Sequence, residues 1–300
     1  MTIAVNRIFP VTGLLDLLCP PICPVCSGVI EDSVEPFCSA CVQKIVTPVG
    51  QFCLRCGGRR FVSPISSSTD GCARCRTTRF RFERVIALGE YKSDLRMLVL
   101  RMKTDRTGIL AISIARMLVA SRRAELENVQ ADYVVPVPMH PLRREDRGVN
   151  SPDLLAEELA RQLKVPFARH LLRRVRCTDL QYTLSNQARA ENVSDAFALR
   201  PPSLWQRLLS IGNSIGSTVV NSIGNSITST ITNRKQRGTT KKVRERSPAQ
   251  LPALSGKNII LVDDIFTTGA TCNEITKVLL SAGARSVTVA APARAEGVQR

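Results

Sequence analysis

The sequence predicts an α/β fold, in which a parallel sheet is flanked by helices, with a cysteine-rich module before it. The apolar runs at 132–138 and 259–262 are each followed by a polar loop and a helical pattern. Unbroken apolar runs are typical of strands that are buried on both faces of a parallel sheet. The cysteine-rich module is indicated by four Cys-x-x-Cys pairs, which together use eight of the eleven cysteines.

Hydrophobic periodicity predicts the remaining elements. We expect a short amphipathic helix at 8–18, a strand at 84–91 and helices at 94–102 and 108–124. A further helix follows the strand at 132–138, and one of its faces carries the stripe Leu154, Leu155, Leu159 and Leu163. The helix after 271 places Ile275, Val278, Leu279 and Ala282 on one face. Apolar residues at this spacing predict helices that pack against a sheet.

The paired cysteines have the spacing of metal ligands. They are Cys23 and Cys26, Cys38 and Cys41, Cys53 and Cys56, and Cys72 and Cys75. Two pairs complete a tetrahedral zinc site of four thiolates, and the pattern is that of a zinc ribbon. The simplest grouping joins the first pair with the second and the third with the fourth, although a crossed grouping stays open. We therefore expect two structural zinc ions.

Disulfides are the alternative to zinc, and they require an oxidising compartment. The sequence shows no targeting signal and no apolar run of membrane-spanning length, so we expect a cytoplasmic protein. Three cysteines remain, namely Cys19, Cys177 and Cys272, which we interpret as buried or half-buried thiols. Cys19 is an alternative ligand of the first zinc site.

The segment after the strand at 259–262 carries the most informative chemistry. Asp263 and Asp264 follow the strand, and a turn rich in hydroxyl groups leads into the helix. Backbone amides of such a turn and the positive end of a helix can hold a phosphate, while carboxylates accept hydrogen bonds from ribose hydroxyls. The predicted ligand-binding residues of this segment are Asp263, Asp264, Thr267, Thr268, Gly269, Ala270 and Thr271.

A basic loop follows the strand at 132–138 and contains Arg143, Arg144 and Arg147. Guanidinium groups bind phosphate oxygens in a bidentate manner, so this loop suits a diphosphate. Because ligands of such sheets bind beyond the carboxyl ends of the strands, we expect both loops to face one site. A solvated surface is the alternative interpretation of these arginines.

The run at 259–271 resembles the ribose-phosphate signature of type I phosphoribosyltransferases, which bind 5-phosphoribosyl 1-diphosphate (PRPP). The order of motifs along the chain narrows this resemblance. The four cysteine pairs precede Tyr91 and Lys103, the Val-Pro-Val-Pro run at 135–138, the arginine loop with Asn150, the segment 184–197 and finally the signature. This order is similar to that of the ComF/GntX family, over about residues 14–200 and 255–296.

The family resemblance implies a type I phosphoribosyltransferase-like domain behind a double zinc ribbon, and a role in natural competence and the use of external DNA. It also places Lys103, Arg147, Asn150, Gln181 and Arg189 at motif positions near the site. We divide the chain into a double zinc ribbon with its short helix at 1–80 and a phosphoribosyltransferase-like domain at 81–300. A low-complexity basic insertion at 204–250 interrupts this domain, and it repeats Ile-Gly-Asn-Ser-Ile at 211–215 and 223–227.

Three functions are consistent with these motifs. The first is a phosphoribosyltransferase that binds PRPP with Mg²⁺, transfers the ribosyl group to a nitrogenous base and uses Asp263 and Asp264 as catalytic residues. The second is a DNA-handling protein that binds single-stranded DNA and other competence proteins, for which the formal net charge of +17 argues. The third is a regulatory module that binds PRPP without turnover. Aromatic residues that could recognise a base are scarce, at 4% of the chain.

Overall fold

The computed structural model describes residues 20–30, 36–48, 50–59, 72, 75, 78–139, 149–176, 191–200 and 254–295. Its helices are α1 (Ser39–Ile45), α2 (Ser93–Thr104), α3 (Ile109–Glu127), α4 (Ser151–Leu163) and α5 (Ala270–Ser281). Its strands are β1 (Arg84–Glu90), β2 (Tyr133–Pro136), β3 (Leu172–Arg174), β4 (Phe197–Leu199), β5 (Asn258–Val262), β6 (Ile265–Phe266) and β7 (Ser286–Arg294). The predicted helix at 8–18 and the insertion at 204–250 lie outside the described residues.

A parallel sheet forms the centre of the fold, with the strand order β1-β7-β5-β2. The short strand β6 continues beyond β5 and pairs with the same edge of β7. Strands β3 and β4 form a separate antiparallel pair. All nine residues of β7 are buried, which is the pattern of a strand covered on both faces.

Side chains of alternate residues along the strands face two hydrophobic cores. In β5, Ile260 and Val262 contribute to the core that includes α2, α3 and α4, whereas Ile259 and Leu261 contribute to the core that includes α5. This division follows from the two-residue repeat of a strand. The cysteine-rich module packs into both cores, because Cys23 and Cys41 belong to the first and Cys53 and Cys56 to the second.

The predicted elements that fall within the described residues are confirmed, with shifts of a few residues at their ends. The strand at 84–91 and the helices at 94–102 and 108–124 correspond to β1, α2 and α3. Within the leucine stripe of α4, Leu155 and Leu159 are buried, whereas Leu154 and Leu163 pack at its margin. The structure adds β7, which lies between β1 and β5 and was not predicted as a strand. Among the described residues, no helix is both long and apolar enough to span a membrane.

Candidate functional site

The acidic pair lies at the carboxyl end of β5, beside the end of β2. Pro136 is the register partner of Val262, and the amide of Val137 donates a 2.8 Å hydrogen bond to the Val262 carbonyl oxygen. The loop after β2 therefore leaves the sheet directly next to Asp263. Its residues Arg143, Arg144 and Arg147 lie outside the described residues, so their placement at the site stays a prediction.

Gly269 shapes the turn between β6 and α5. It is the N-cap residue of α5, with a φ of 83°, and a Cβ atom at this position would lie 2.7 Å from Cζ of Phe266. Both the backbone conformation and the close ring favour glycine. The amide of Ala270 lies 3.4 Å from Oγ1 of Thr268, to which it donates. The positive end of the helix dipole thus lies at a hydroxyl-bearing turn, an arrangement that suits an anion.

Asp263 and Asp264 differ in their surroundings. The Nζ atom of Lys103, near the end of α2, lies 3.1 Å from Oδ2 of Asp264. Asp263 instead accepts the amide hydrogen of Asp264 at 2.9 Å and faces the buried thiol of Cys272, with 3.8 Å between Sγ and Oδ2. Burial, together with the neighbouring charge of Asp264, raises the pKa of Asp263 to about 7. The pair therefore combines one ion-paired carboxylate with one carboxyl group that titrates near neutral pH.

Three phenylalanines pack beneath the turn. Phe80 and Phe82 stack with ring centroids 4.8 Å apart, and Phe266 contacts Phe82 edge to face at 5.5 Å. Phe266 is buried, so its ring supports the turn from below. The sequence alone assigned no role to Phe80 and Phe82. Their one indication in the sequence is a spacing of two residues, which is that of neighbours on the same face of a strand.

The eight paired cysteines form two clusters. The first contains Cys23, Cys26, Cys38 and Cys41, and the second contains Cys53, Cys56, Cys72 and Cys75. The simplest grouping, first pair with second and third with fourth, is therefore confirmed. The four described pairs do not form the crossed grouping.

The geometry of both clusters fits a tetrahedral metal site. All sulfur atoms of a cluster lie within 4.8 Å of one another. The Sγ atoms of Cys26 and Cys38 are 3.7 Å apart, and those of Cys56 and Cys72 are 3.5 Å apart. Zinc–sulfur bonds of about 2.3 Å in a tetrahedron need sulfur separations of about 3.8 Å. Both clusters are therefore compatible with structural zinc.

The two clusters are built on similar turns. The amide of Cys23 donates to the Gly28 carbonyl oxygen at 2.8 Å, and the amide of Cys53 donates to that of Gly58 at the same distance. Each turn needs one residue with positive φ, which is Ser27 at 61° in the first and Gly57 at 65° in the second. The equivalent hydrogen bonds indicate that the same cysteine turn occurs once in each cluster.

The structure places the other predicted residues as follows. Lys103 lies at the acidic pair, whereas Asn150 is the buried N-cap residue of α4 and donates to Asp153 at 2.7 Å. Gln181 and Arg189 lie outside the described residues. Several arginines near the second cluster have exposed side chains, namely Arg55, Arg59, Arg79 and Arg81.

The fold and the site define a parallel α/β domain of the phosphoribosyl transferase type, which carries a module with two four-cysteine clusters. Residues 154–298 match the Phosphoribosyl transferase domain family. Over 229 residues, the chain is 26% identical to Competence protein F of Haemophilus influenzae, covering 75% of this chain and 78% of that protein. It is 26% identical over 231 residues to DNA utilization protein YhgH of Salmonella typhimurium, with coverage of 75% and 78%.

A third relative is DNA utilization protein YhgH of Salmonella typhi, which is 27% identical over 221 residues, with 73% of this chain and 75% of that protein covered. Together with the two cysteine clusters, these relationships confirm the predicted resemblance to the ComF/GntX family.

Proposed function

We propose that this protein binds PRPP, or a closely related ribosyl phosphate, between β5 and α5. One observation carries the proposal. Beyond the carboxyl end of the buried strand β5, an acidic pair, one member of which forms an ion pair with Lys103, adjoins a glycine turn at a helix N-terminus. Parallel sheets bind their ligands at this edge. The match of residues 154–298 to the phosphoribosyl transferase family supports the same ligand class.

Each part of the site suits one part of PRPP. The turn from Thr267 to Thr271, with its hydroxyls and the helix N-terminus, would hold the 5-phosphate. Asp263 and Asp264 would accept hydrogen bonds from the two ribose hydroxyls. The loop with Arg143, Arg144 and Arg147 would face the diphosphate.

Mg²⁺ would enter together with PRPP. This ion is usually bound through one or two carboxylates plus substrate phosphates, and the acidic pair offers hard oxygen ligands of that kind. When bound, it would neutralise charge on the diphosphate oxygens. Lys103 would hold the Asp264 side chain in place beside this centre through their ion pair.

Whether the site turns PRPP over depends on a partner base. In a transferase, a nitrogen nucleophile would displace diphosphate at the anomeric carbon, and electrostatic stabilisation of the departing group would supply most of the catalysis. The aromatic residue of the signature, Phe266, is buried under the turn and so does not offer a stacking face for a base. This favours a binding or sensing role. Release of diphosphate with a panel of nucleobases tests turnover directly.

DNA handling is the second function that specific observations favour. The relatives are named Competence protein F and DNA utilization protein, and we propose a role in DNA uptake or utilisation for this chain as well. The exposed arginines around the second cysteine cluster, and the formal charge of +17, would provide contacts to a phosphate backbone. Single-stranded DNA and other competence proteins are the corresponding partners.

We also propose the division of the chain into a double zinc ribbon at 1–80 and a phosphoribosyltransferase-like domain at 81–300, interrupted at 204–250. Both cysteine clusters precede residue 80, and the five-stranded sheet begins at Arg84. Limited proteolysis tests the division, because cleavage sites should concentrate in the insertion and leave the zinc ribbon attached to the sheet.

A further inference from the structure

A buried arginine connects the second cysteine cluster to the predicted phosphate turn. Arg294 ends β7, and its side chain is 1% exposed. Its Nε atom donates to the carbonyl oxygen of Cys56 at 2.8 Å. Its Nη1 atom donates to the carbonyl oxygens of Phe266, at 3.3 Å, and of Thr267. One guanidinium group therefore hydrogen-bonds both a metal-cluster cysteine and the turn that begins at Thr267.

The side chain of Arg294 is packed on both sides. The guanidinium carbon lies 4.9 Å from the centroid of the Phe266 ring, which in turn lies against Gly269. On the other side, a Cβ atom added to Gly57 would lie 3.6 Å from Cδ of Arg294, so the cysteine turn packs directly on the side chain. A buried charge that loses a hydrogen-bond partner is costly, so displacement of the Cys56 carbonyl must move either Arg294 or the turn.

We propose that Arg294 is a positioning residue through which metal binding at the second cysteine cluster sets the affinity of the phosphate turn for its ligand. The inference rests on the proposed function, since it takes PRPP as the ligand of that turn. Metal at Cys53, Cys56, Cys72 and Cys75 fixes the Cys56 carbonyl, Arg294 transmits that position, and the turn is held ready for the 5-phosphate. Because linkage is reciprocal, bound ligand also retains metal in this cluster.

The coupling belongs to the second cluster rather than the first. The first cluster packs into the opposite core through Cys23 and Cys41, and Arg101 of α2 donates to the Pro24 carbonyl oxygen at 2.9 Å. The second cluster shares its core with Phe266 and with Cys272 at the start of α5. Loss of metal from the two clusters should therefore have different consequences for the site.

Arg122 provides a matched control for Arg294. It is also buried, at 4% exposed, donates to the carbonyl oxygens of Thr47, Ala87 and Leu88, and lies over an aromatic ring, that of Phe52. Its described hydrogen bonds anchor the cysteine-rich module to β1 and do not involve the turn. Replacement of either arginine by methionine removes a buried guanidinium, so both changes should cost stability, whereas only Arg294→Met should uncouple metal from ligand.

The test measures PRPP·Mg²⁺ affinity by calorimetry in the full-length chain. Cys75→Ser removes a ligand of the second cluster, and Cys38→Ser removes one of the first. We expect Cys75→Ser and Arg294→Met each to weaken binding about 5- to 150-fold, the usual range of allosteric coupling, and to be non-additive when combined. Cys38→Ser and Arg122→Met should leave the affinity unchanged. Arg294→Lys, which keeps the charge with fewer donors, should recover part of the loss.

Zinc release to a chromogenic chelator provides a second readout. PRPP·Mg²⁺ should slow release of one of two zinc ions in the wild type and in Arg122→Met, and should have no effect in Arg294→Met. If Arg294→Met does not fold, the coupling is tested by the PRPP·Mg²⁺ affinity of Arg294→Lys and by the rates of zinc release from the wild type with and without PRPP·Mg²⁺. Wild-type PRPP binding that is indifferent to Cys75→Ser overturns the coupling and leaves the proposed function intact. Absence of PRPP binding in the zinc-loaded wild type overturns both.

Discussion

Lys103 and Asp264 form an ion pair at the carboxyl edge of the sheet, with 3.1 Å between Nζ and Oδ2. Lys103 comes from the end of α2 and Asp264 from the residue pair that follows β5. Among the residues that the structure describes, Lys103 is the cation that pairs with one of these two adjacent carboxyl groups. Burial and the neighbouring charge of Asp264 outweigh the effect of Lys103 and raise the pKa of Asp263 to about 7. The acidic pair can therefore still accept a cation or the hydroxyl groups of a ligand.

The titration of Asp263 is the first prediction. Selective ¹³C labelling of aspartate should show one carboxyl carbon with a midpoint near pH 7, because burial and the Asp264 charge raise its pKa. Asp264→Asn removes the like charge and should lower this midpoint. Lys103→Met removes the favourable cation and should raise it. A midpoint near 4 in the wild type would contradict the described electrostatics.

The same shift predicts a change of stability with pH. Between the ordinary value of 3.8 and about 7, the folded chain keeps a proton on Asp263 that the unfolded chain has released. This contribution favours folding at the acid end of the window and is lost as the pH rises to about 7. In denaturant unfolding between about pH 5 and 7, the free energy of unfolding should therefore decline less for Asp263→Asn than for the wild type. An equal decline would count against the assignment.

Gly269→Ala tests the turn. The substitution forces a left-handed residue and places a Cβ atom 2.7 Å from Phe266. Gly256 is the matched control, since its φ is 74° and nothing lies within 4 Å of a Cβ added there. We expect Gly256→Ala to lower the free energy of unfolding by about 1–2 kcal/mol. Gly269→Ala should lower it by the same amount and by about 1–3 kcal/mol more, because of the clash with Phe266. Equal losses in denaturant unfolding would show that Phe266 moves aside without cost.

Zinc content tests the two clusters. The wild-type chain should carry two zinc ions, and Cys38→Ser and Cys75→Ser should each carry one. Plasma emission spectroscopy on protein purified without added metal gives the ratio. Cys272→Ser is the control, since this thiol is buried beside Asp263 and belongs to neither cluster. A wild-type ratio of one or zero would contradict the assignment of the clusters.

Salt dependence tests the DNA-binding proposal. Affinity for single-stranded DNA should fall steeply with salt, because backbone contacts release counterions. Arg79→Ser and Arg81→Ser, at two exposed positions near the second cluster, should each reduce the slope by about one if they contact phosphates. Arg123→Ser is a control, since Arg123 lies on α3 and pairs with Glu127 at 3.0 Å. A flat salt response would argue against the proposal.

Much of the fold could be predicted because the informative signals are local. A buried apolar strand, two carboxylates, a glycine turn and an amphipathic helix lie within 259–282, and the structure preserves this order as β5, β6 and α5. The cysteine clusters follow equally from short spacing, since each cluster contains two Cys-x-x-Cys pairs. The resemblance also drew attention to Lys103, which the structure brings to Asp264.

Features that depend on long-range contacts could not be predicted in this way. The strand β7 contains three alanines and a proline in Ala290–Ala293, residues that alone do not favour a strand, yet its place between β1 and β5 buries all of it. Arg294 reads as an ordinary basic residue near a chain end. Its hydrogen bonds to the carbonyl oxygens of Cys56 and Thr267 join residues that are far apart in the sequence, so no local pattern predicts them.

Calorimetry with PRPP and Mg²⁺ tests the central claim most directly. The wild-type chain should bind, and Asp263→Asn and Asp264→Asn should each weaken binding about 10- to 150-fold, as expected for the loss of a charged hydrogen-bond acceptor. Asp132→Asn is the matched control, because Asp132 pairs with Lys257 at 2.8 Å before β2, at the opposite end of the sheet. This variant should bind as the wild type does. A wild-type chain that loads two zinc ions and yet shows no heat of binding with PRPP and Mg²⁺ would contradict the account.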